Sequence, residues 1–186
     1  MFSYSRHLRK SRMQAGVRMA KEFFKKVLVA INGSESSIRA AMYGIMLART
    51  YNLELKFVYV IDSATINYLG MNQILAKDEQ VDYKVDLCYE GQNHLEYAAS
   101  LAGSKGVPAQ TELKDGSVVT EILKVAKEFE ADLILIGSTS KKRGESLIKR
   151  NVHSSHQNDI IENSKIPVLV VQSSESESIE TKFKIF

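Results

Sequence analysis

Apolar runs alternate with helix-period stretches along most of this chain. The first apolar run is Val27–Ile31 and the last is Val168–Val171, and continuous aliphatic runs of this kind are typical of strands that are covered on both faces. Strands that alternate with helices indicate right-handed crossovers in a parallel sheet. The pattern therefore predicts a doubly wound α/β domain, with a five-stranded parallel sheet in the order 3-2-1-4-5 and helices on both faces.

The strands are predicted over Lys26–Ile31, Leu53–Ile61, Val107–Leu113, Asp132–Ile136 and Val168–Val171. The third strand alternates apolar and polar residues and begins beside Pro108, which indicates a half-exposed edge. The fifth strand is also an edge in this order, although it is wholly apolar. Because an exposed apolar edge is an aggregation hazard, we expect a cover there. That cover is either the same strand of a second copy, in a homodimer, or the tail folded back over the strand.

Four helices are predicted from apolar residues at helical spacing, over Ser36–Tyr51, over Val81–Ala102, after Ser117, and over Ser155–Asn163. Residues 62–80 show no comparable period, and we expect a loop there with a turn of helix. The element count and the length of 186 residues fit one domain with flanking segments.

Charge is distributed unevenly along the chain. Residues 1–26 carry eight basic residues against one acidic residue, a net charge of +7, which leaves −4 for the remainder. We therefore expect a basic extension over residues 1–22, a folded domain over residues 23–172, and a Ser/Glu-rich tail over residues 173–186. The extension is either a solvated arm or a contact for an acidic partner or anionic surface. Nucleic-acid binding is not favoured, because few aromatic residues are interleaved with the charges.

A single cysteine, Cys88, excludes an intramolecular disulfide and a cysteine-based zinc site. The start of the chain lacks the pattern of a secretory signal, and no apolar run is long enough to span a bilayer. A reducing, cytoplasmic compartment is the expectation that follows.

Two turns carry the candidate chemistry. The first follows the first strand and reads Asn32-Gly33-Ser34-Glu35-Ser36-Ser37, at the sheet edge where open α/β domains bind ligands. It is either a ligand-binding turn or an ordinary turn with a serine cap. The second runs from Gly137 to Ser155 and combines small and basic residues, whose backbone N–H groups would suit a phosphate. It lacks the spacing of a P-loop, so that hydrolytic mechanism is not supported.

Five segments in register resemble the universal stress protein family, whose Usp domain is of the adenine-nucleotide alpha-hydrolase-like type. They lie at residues 26–41, 58–62, 116–126, 131–138 and 166–171. The resemblance implies an adenine-nucleotide cleft at the carboxyl ends of strands 1 and 4. In nucleotide-binding members, a glycine motif between strand 4 and helix 4 holds the phosphates and ribose.

This chain departs from that motif. Gly137 and Ser138 resemble its opening, but Ser140 stands where the second glycine would fall. Nine residues separate Gly144 from the pair Ser154-Ser155, which occupies the position of the closing Gly-Ser/Thr pair. The loop is therefore about four residues longer than the family form, and a serine replaces the last glycine. A serine costs roughly 1 kcal/mol only if the position needs a positive φ.

The resemblance also assigns positions around the base. Asn32 stands where the family has an aspartate, and Ala30, Ile31 and Val60 fall where the family lines the adenine pocket. His156 and Gln157, which follow the serine pair, complete the candidate cofactor-binding set, with phosphate contact or helix capping as the role of His156. No metal site is expected from the two histidines that flank the serine pair, because they lack a third ligand at a suitable spacing.

Two functions remain open at this stage. The first is a regulatory dimer that binds ATP or AMP, accompanied by Mg²⁺. The alternative is a family member that binds no nucleotide and acts as a dimeric protein-interaction module in a stress response, through a regulatory protein partner. An enzymatic role has little support, since the strand ends carry no paired carboxylates or nucleophile–base pair. Weak ATP hydrolysis would rest on analogy alone.

Overall fold

The computed structural model describes residues 24–71, 77–138, 156–172 and 179–186. The strands are β1 Lys26–Ile31, β2 Glu54–Asp62, β3 Ala109–Gly116, β4 Leu133–Gly137 and β5 Val168–Val171. The helices are α1 Glu35–Tyr51, α2 Ser63–Met71, α3 Lys77–Ser104, α4 Val118–Glu128, α5 over residues 156–163, and α6 Ile179–Ile185.

The five strands form one parallel sheet in the order β3-β2-β1-β4-β5. Val29, at the centre of β1, pairs with Phe57 of β2 on one side and with Leu135 of β4 on the other. All three side chains are fully buried, as expected where helices cover both faces of a parallel sheet. The fold class and strand order predicted from the sequence are confirmed.

The core lies in two layers, one on each face of the sheet. On one face α1 and α3 pack through small and aliphatic residues, Ala41, Ile45, Leu95, Ala98 and Ala102 among them. On the other face α4 and α5 pack through Ile122, Val125, Ala126, Phe129 and Ile160. In a parallel sheet, every loop that leads from a strand into the following helix lies at the carboxyl end of that strand. These turns therefore lie together at one end of the sheet.

Residues 62–80 contain more helix than the predicted loop with a turn of helix, because α2 occupies Ser63–Met71 and α3 already begins at Lys77. The side chain of Asp62 starts α2 by accepting hydrogen bonds from Thr65 N at 3.1 Å and Thr65 Oγ1 at 2.6 Å. Ile66 of α2 is buried. A helix of nine residues is too short to show a clear helical period in the sequence.

β3 also differs from its prediction. It begins at Ala109 rather than Val107 and continues past Leu113 to Gly116, pairing with β2 along its whole length. The extension brings Asp115 to the carboxyl end of the sheet, next to Asp62 of β2, because Asp62 lies opposite Gly116 in the register. Backbone hydrogen bonds to β2 determine where β3 begins and ends. The alternation of apolar and polar residues in the sequence carries no information about those bonds.

The last eight residues pack on α1. Phe183 of α6 is 5% exposed, and Glu180 forms an ion pair with Arg39 of α1 at 3.2 Å. At the other end Arg49 donates to the carbonyl oxygen of Phe186 at 2.9 Å. α6 therefore joins the α1 face of the domain and does not lie apart from it. None of the helices in the described ranges combines the length and apolar character needed to cross a bilayer.

Candidate functional site

The turn between β1 and α1 is closed by the side chain of Asn32. Its Oδ1 accepts hydrogen bonds from Ser34 N at 3.2 Å and from Ser34 Oγ at 2.7 Å. Ser34 in turn caps α1, because its Oγ accepts from Ser37 N at 3.2 Å. The acceptor oxygen of Asn32 is thus engaged within the turn. The Asn32 side chain is exposed, and its amide Nδ2 is a further hydrogen-bond donor on it.

Ser37 fixes the turn from below. Its side chain is 3% exposed, its Oγ donates to Ser34 O at 2.8 Å, and the same Oγ accepts from Asn32 N at 3.3 Å. A buried hydroxyl that is satisfied on both sides holds β1 and the first turn of α1 in one arrangement. The turn is therefore preorganised before any ligand arrives.

Gly137, at the end of β4, lies against the start of α1. A Cβ added there would be 2.4 Å from the carbonyl carbon and 2.5 Å from the carbonyl oxygen of Ser36. Both are backbone atoms, so only glycine fits without moving the helix. Ser138 N then donates to Val171 O at 3.0 Å, which ties the next residue to β5. Gly137 therefore lies beside the turn that Asn32 closes.

The three residues assigned to the base are divided between the two faces of the sheet. Ile31 is 3% exposed within the α1 and α3 layer, so a ligand would meet its backbone and not its side chain. Ala30 and Val60 are half-buried on the α4 and α5 face. An apolar ring that met both side chains would therefore approach the sheet from the α4 side.

His156 and Gln157 are half-buried at the beginning of the described part of α5. His156 lines an open groove of about 600 Å³ between α4 and α5, together with Ser117, Thr120, Asp159 and Asn163. Of the other predicted site residues, Ser140, Gly144, Ser154 and Ser155 lie outside the described residues. Within the described ranges no group of three histidine, cysteine or acidic side chains is placed to hold a metal ion.

A residue that the sequence analysis did not include lies behind the turn. His94 of α3 packs against Gly33, and a Cβ on Gly33 would be 2.3 Å from His94 Nε2. The imidazole is also stacked on Tyr59 of β2, with ring centroids 6.0 Å apart. Burial, the carboxylate of Glu90 and the phenol of Tyr83 together raise the pKa of Tyr59. In the sequence His94 has the spacing of a core position on α3, and no motif connects it to Gly33.

The carboxyl ends of β2 and β3 hold a separate ion pair. Lys84 of α3 contacts the carboxylate of Asp115, and both side chains are partly exposed. The hydrogen bond from Lys84, followed by one from Ser63, lowers the pKa of Asp115, and the same bond to Asp115 raises the pKa of Lys84. This pair fastens the first half of α3 to the sheet edge.

Comparison with known proteins places this architecture in one family. The sequence model of the universal stress protein family matches residues 23–172, most of the chain. The chain belongs to the universal stress protein family. A universal stress protein of Methanocaldococcus jannaschii is 29% identical over 161 residues, covering 87% of this chain and 89% of its own. One from Bacillus subtilis is 33% identical over 151 residues, covering 80% and 99%.

Solved structures share the fold. A universal stress protein family member from Burkholderia pseudomallei superposes with a TM-score of 0.60 at 21% identity, covering 80% of this chain and 96% of that chain. A universal stress protein solved in complex with cAMP gives 0.54 at 23% identity, covering 81% and 98%. One from Archaeoglobus fulgidus solved in complex with dAMP gives 0.55 at 17% identity, covering 80% and 98%. Likeness at this level of identity shows the shared fold.

Proposed function

We propose that this universal stress protein is a cytoplasmic regulator that binds ATP or AMP in the cleft at the carboxyl ends of β1 and β4. The observation that carries the proposal is the fit of Gly137 against the Ser36 backbone, beside a turn already closed by Asn32. Small residues and fixed backbone groups at this edge suit a ligand that must approach the main chain closely. The relatives solved with cAMP and dAMP support an adenine nucleotide as that ligand.

The chain offers each part of a nucleotide a matching group. Ala30 and Val60 supply an apolar contact for the base on the α4 side, and Asn32 Nδ2 supplies a donor for a ring nitrogen or ribose oxygen. The segment after Gly137 supplies backbone N–H groups, five basic residues between Lys141 and Arg150, and the hydroxyls of Ser154 and Ser155. Mg²⁺ would accompany the phosphates. Occupancy would alter the surface offered to a regulatory partner.

Calorimetric titration of ATP and of AMP into the full chain, with and without Mg²⁺, tests the proposal. We expect a dissociation constant in the micromolar range for at least one of them. Gly144→Arg and Ser154→Arg, which place a bulky cation in the predicted phosphate loop, should each weaken binding at least about tenfold. The matched control is Glu162→Arg on the exposed side of α5, which should bind as the parent chain does. Absence of binding for both nucleotides at millimolar concentration would contradict the proposal.

A second function, a dimeric protein-interaction module, rests on β5. Among the described residues β5 pairs only with β4, and Val168, Leu169 and Val170 are half-buried. An apolar strand with one free edge suits pairing with the same strand of a second copy. Within the described ranges α6 packs on α1, and no strand pairs with the side of β5 that faces away from β4. We propose the homodimer together with nucleotide binding, since the two occupy different edges of the sheet.

A further inference from the structure

An apolar stripe runs along the exposed side of α3. Val81, Val85 and Tyr89 recur at the i, i+4, i+8 spacing of one helix face and are 62%, 61% and 72% exposed. Tyr68 and Met71 of the adjacent α2 are 66% and 84% exposed. Single exposed apolar residues are ordinary, but five large ones on two packed helices form a surface that a partner would bury.

The position of the stripe follows from helix geometry. His94 of the same helix points to the β1 turn, and at about 100° per residue Val85 lies roughly half a turn around the axis from it. Lys84 reaches Asp115 at the end of β3. The stripe therefore faces away from β1 and α1, on the side of β3 that is turned away from β2, and it belongs neither to the core nor to the candidate nucleotide cleft.

Negative charge borders the stripe. Residues 77–104 of α3 contain two lysines against six acidic residues, a net charge of −4. Asp86, one position beyond Val85, is exposed, and Lys84 is already engaged with Asp115. An apolar stripe on a helix with this acidic excess fits a basic amphipathic segment, which would bury its apolar side and place its cations against Asp86 and the net negative charge of the helix.

The chain contains such a segment. Residues 1–23 carry six basic residues against one acidic residue, a net charge of +5. Met13, Val17 and Ala20 within them have the i, i+4, i+7 spacing of an apolar stripe. Almost all of this segment precedes the family match, which begins at residue 23, so the family fold does not account for it. Its charge and its apolar spacing are both complementary to α3.

The distances allow contact within one chain. Phe24 precedes β1 at the same sheet edge at which α3 ends, because α3 returns from the carboxyl end of β2 to the start of β3. Tyr89 lies about 23 Å and Val81 about 35 Å along α3 from Ser104. A segment of 23 residues spans about 35 Å as a helix and about 75 Å when extended.

We propose that residues 1–23 dock on the stripe formed by Tyr68, Met71, Val81, Val85 and Tyr89 and cover it. The cover is electrostatically steered, so it weakens as salt screens the charges. When the segment is released, for example by a competing anionic surface, the stripe becomes available to a protein partner. This adds an interaction face to the domain that is independent of nucleotide binding.

Disulfide trapping in the full chain tests the proposal. In a Cys88→Ser background, the pair Val17→Cys and Val85→Cys should oxidise to a cross-linked monomer. The yield should be at least about tenfold higher than for the control pair Val17→Cys and Glu162→Cys, whose second cysteine lies on the opposite face. The triple substitution Arg9→Glu, Lys10→Glu and Arg12→Glu should reduce the yield at Val85, as should 0.5 M salt, a concentration well above about 0.1 M, where the Debye length is already about 10 Å.

A second measurement avoids oxidation. Trypsin cleavage at the basic residues of the segment should be several-fold slower in the parent chain than in Val85→Lys, which disrupts the apolar contact. Equal trapping at positions 85 and 162 would overturn the proposal, as would equal cleavage of the two chains. Cross-linked dimers in place of monomers would show that a second copy covers the stripe, and would overturn docking within one chain.

Discussion

Gly33 and His94 share a space in which only one of them can carry a side chain. Gly33 has φ +77, which favours glycine in any surroundings, and its Cα also faces the imidazole of His94. Any substitution of Gly33 therefore destabilises the fold in two separate ways, through the backbone conformation and through contact with the His94 ring. The close packing holds the Asn32 turn against α3.

Gly33→Ala should destabilise the protein by about 2 kcal/mol or more, the sum of the strained backbone and an overpacked contact. In a His94→Ala background the ring is gone, and the same substitution should cost at least about 1 kcal/mol less. Urea denaturation of the four chains measures this coupling. Gly103→Ala on α3, where a Cβ meets nothing within 4 Å, is the control and should not be destabilising. Additive costs for Gly33 and His94 would contradict the shared space.

Some contacts of individual residues could not be predicted from the sequence. The Asn32 turn was identified as a candidate site from its composition, and the structure adds that Asn32 Oδ1 is occupied by Ser34. His94 could not be linked to Gly33 in advance, because sixty residues separate them and imidazole side chains at core spacing are common. The contact exists only because α3 crosses the sheet at that point.

At the scale of elements, the two halves of α3 are held to the domain by different kinds of contact. Its second half packs into the core through the buried residues Leu95, Ala98 and Ala102. Its first half contacts the core through the half-buried Leu87 and Cys88, and is also held by the Lys84 and Asp115 pair and by packing with α2. Lys84 and Asp115 have 44% and 43% of their side-chain surface exposed, so the pair contributes modestly. The first half of α3 is therefore the part whose attachment depends most on solution conditions.

Asp115→Asn should lower the free energy of unfolding by roughly 0.2–1 kcal/mol near pH 7. The pKa of Asp115 is lowered in the folded state, so this contribution is present above the ordinary pKa of an aspartate and lost as pH falls through the folded value. The pKa of Lys84 is raised, so the contribution is also lost as pH rises through that folded value. The difference between parent and variant should be constant from about pH 5 to pH 9 and shrink outside it.

Urea denaturation of both chains across the pH range measures this difference. Glu162→Gln, at an exposed position of α5, is the control and should show no such plateau. A difference that stayed constant down to pH 2 would show that the substitution acts through packing and not through the charge pair.

At the scale of the whole molecule, the proposed homodimer depends on the side of β5 that faces away from β4. Ile134 N donates to Pro167 O and Ser138 N donates to Val171 O. Since strand residues alternate in direction, the backbone groups of Val168 and Val170 point away from β4. The edge therefore offers two N–H groups and two carbonyls to a second strand.

Val170→Pro should convert the dimer to a monomer, because it removes one outward N–H group and leaves the β4 and β5 pairing intact. Val170→Thr keeps the N–H group and the side-chain shape, and should remain dimeric. Sedimentation velocity of the parent chain and both variants, together with thermal melts of each, measures assembly and folding separately. A parent chain that is monomeric, or a dimeric Val170→Pro chain with an unchanged melt, would contradict pairing through β5.

The sequence by itself determined the alternation of strands and helices and the parallel sheet with its order, and it predicted the two turns of the candidate site. These properties follow from apolar runs such as Val27–Ile31, because the hydrophobicity of each residue in such a run indicates that the residue is buried. Tertiary structure alone decided the contacts of Gly137 with Ser36 and of His94 with Gly33, the start of α2 at Asp62, and the docking of α6 on α1. Such contacts join distant segments, and local periodicity carries no information about which surface a residue will meet.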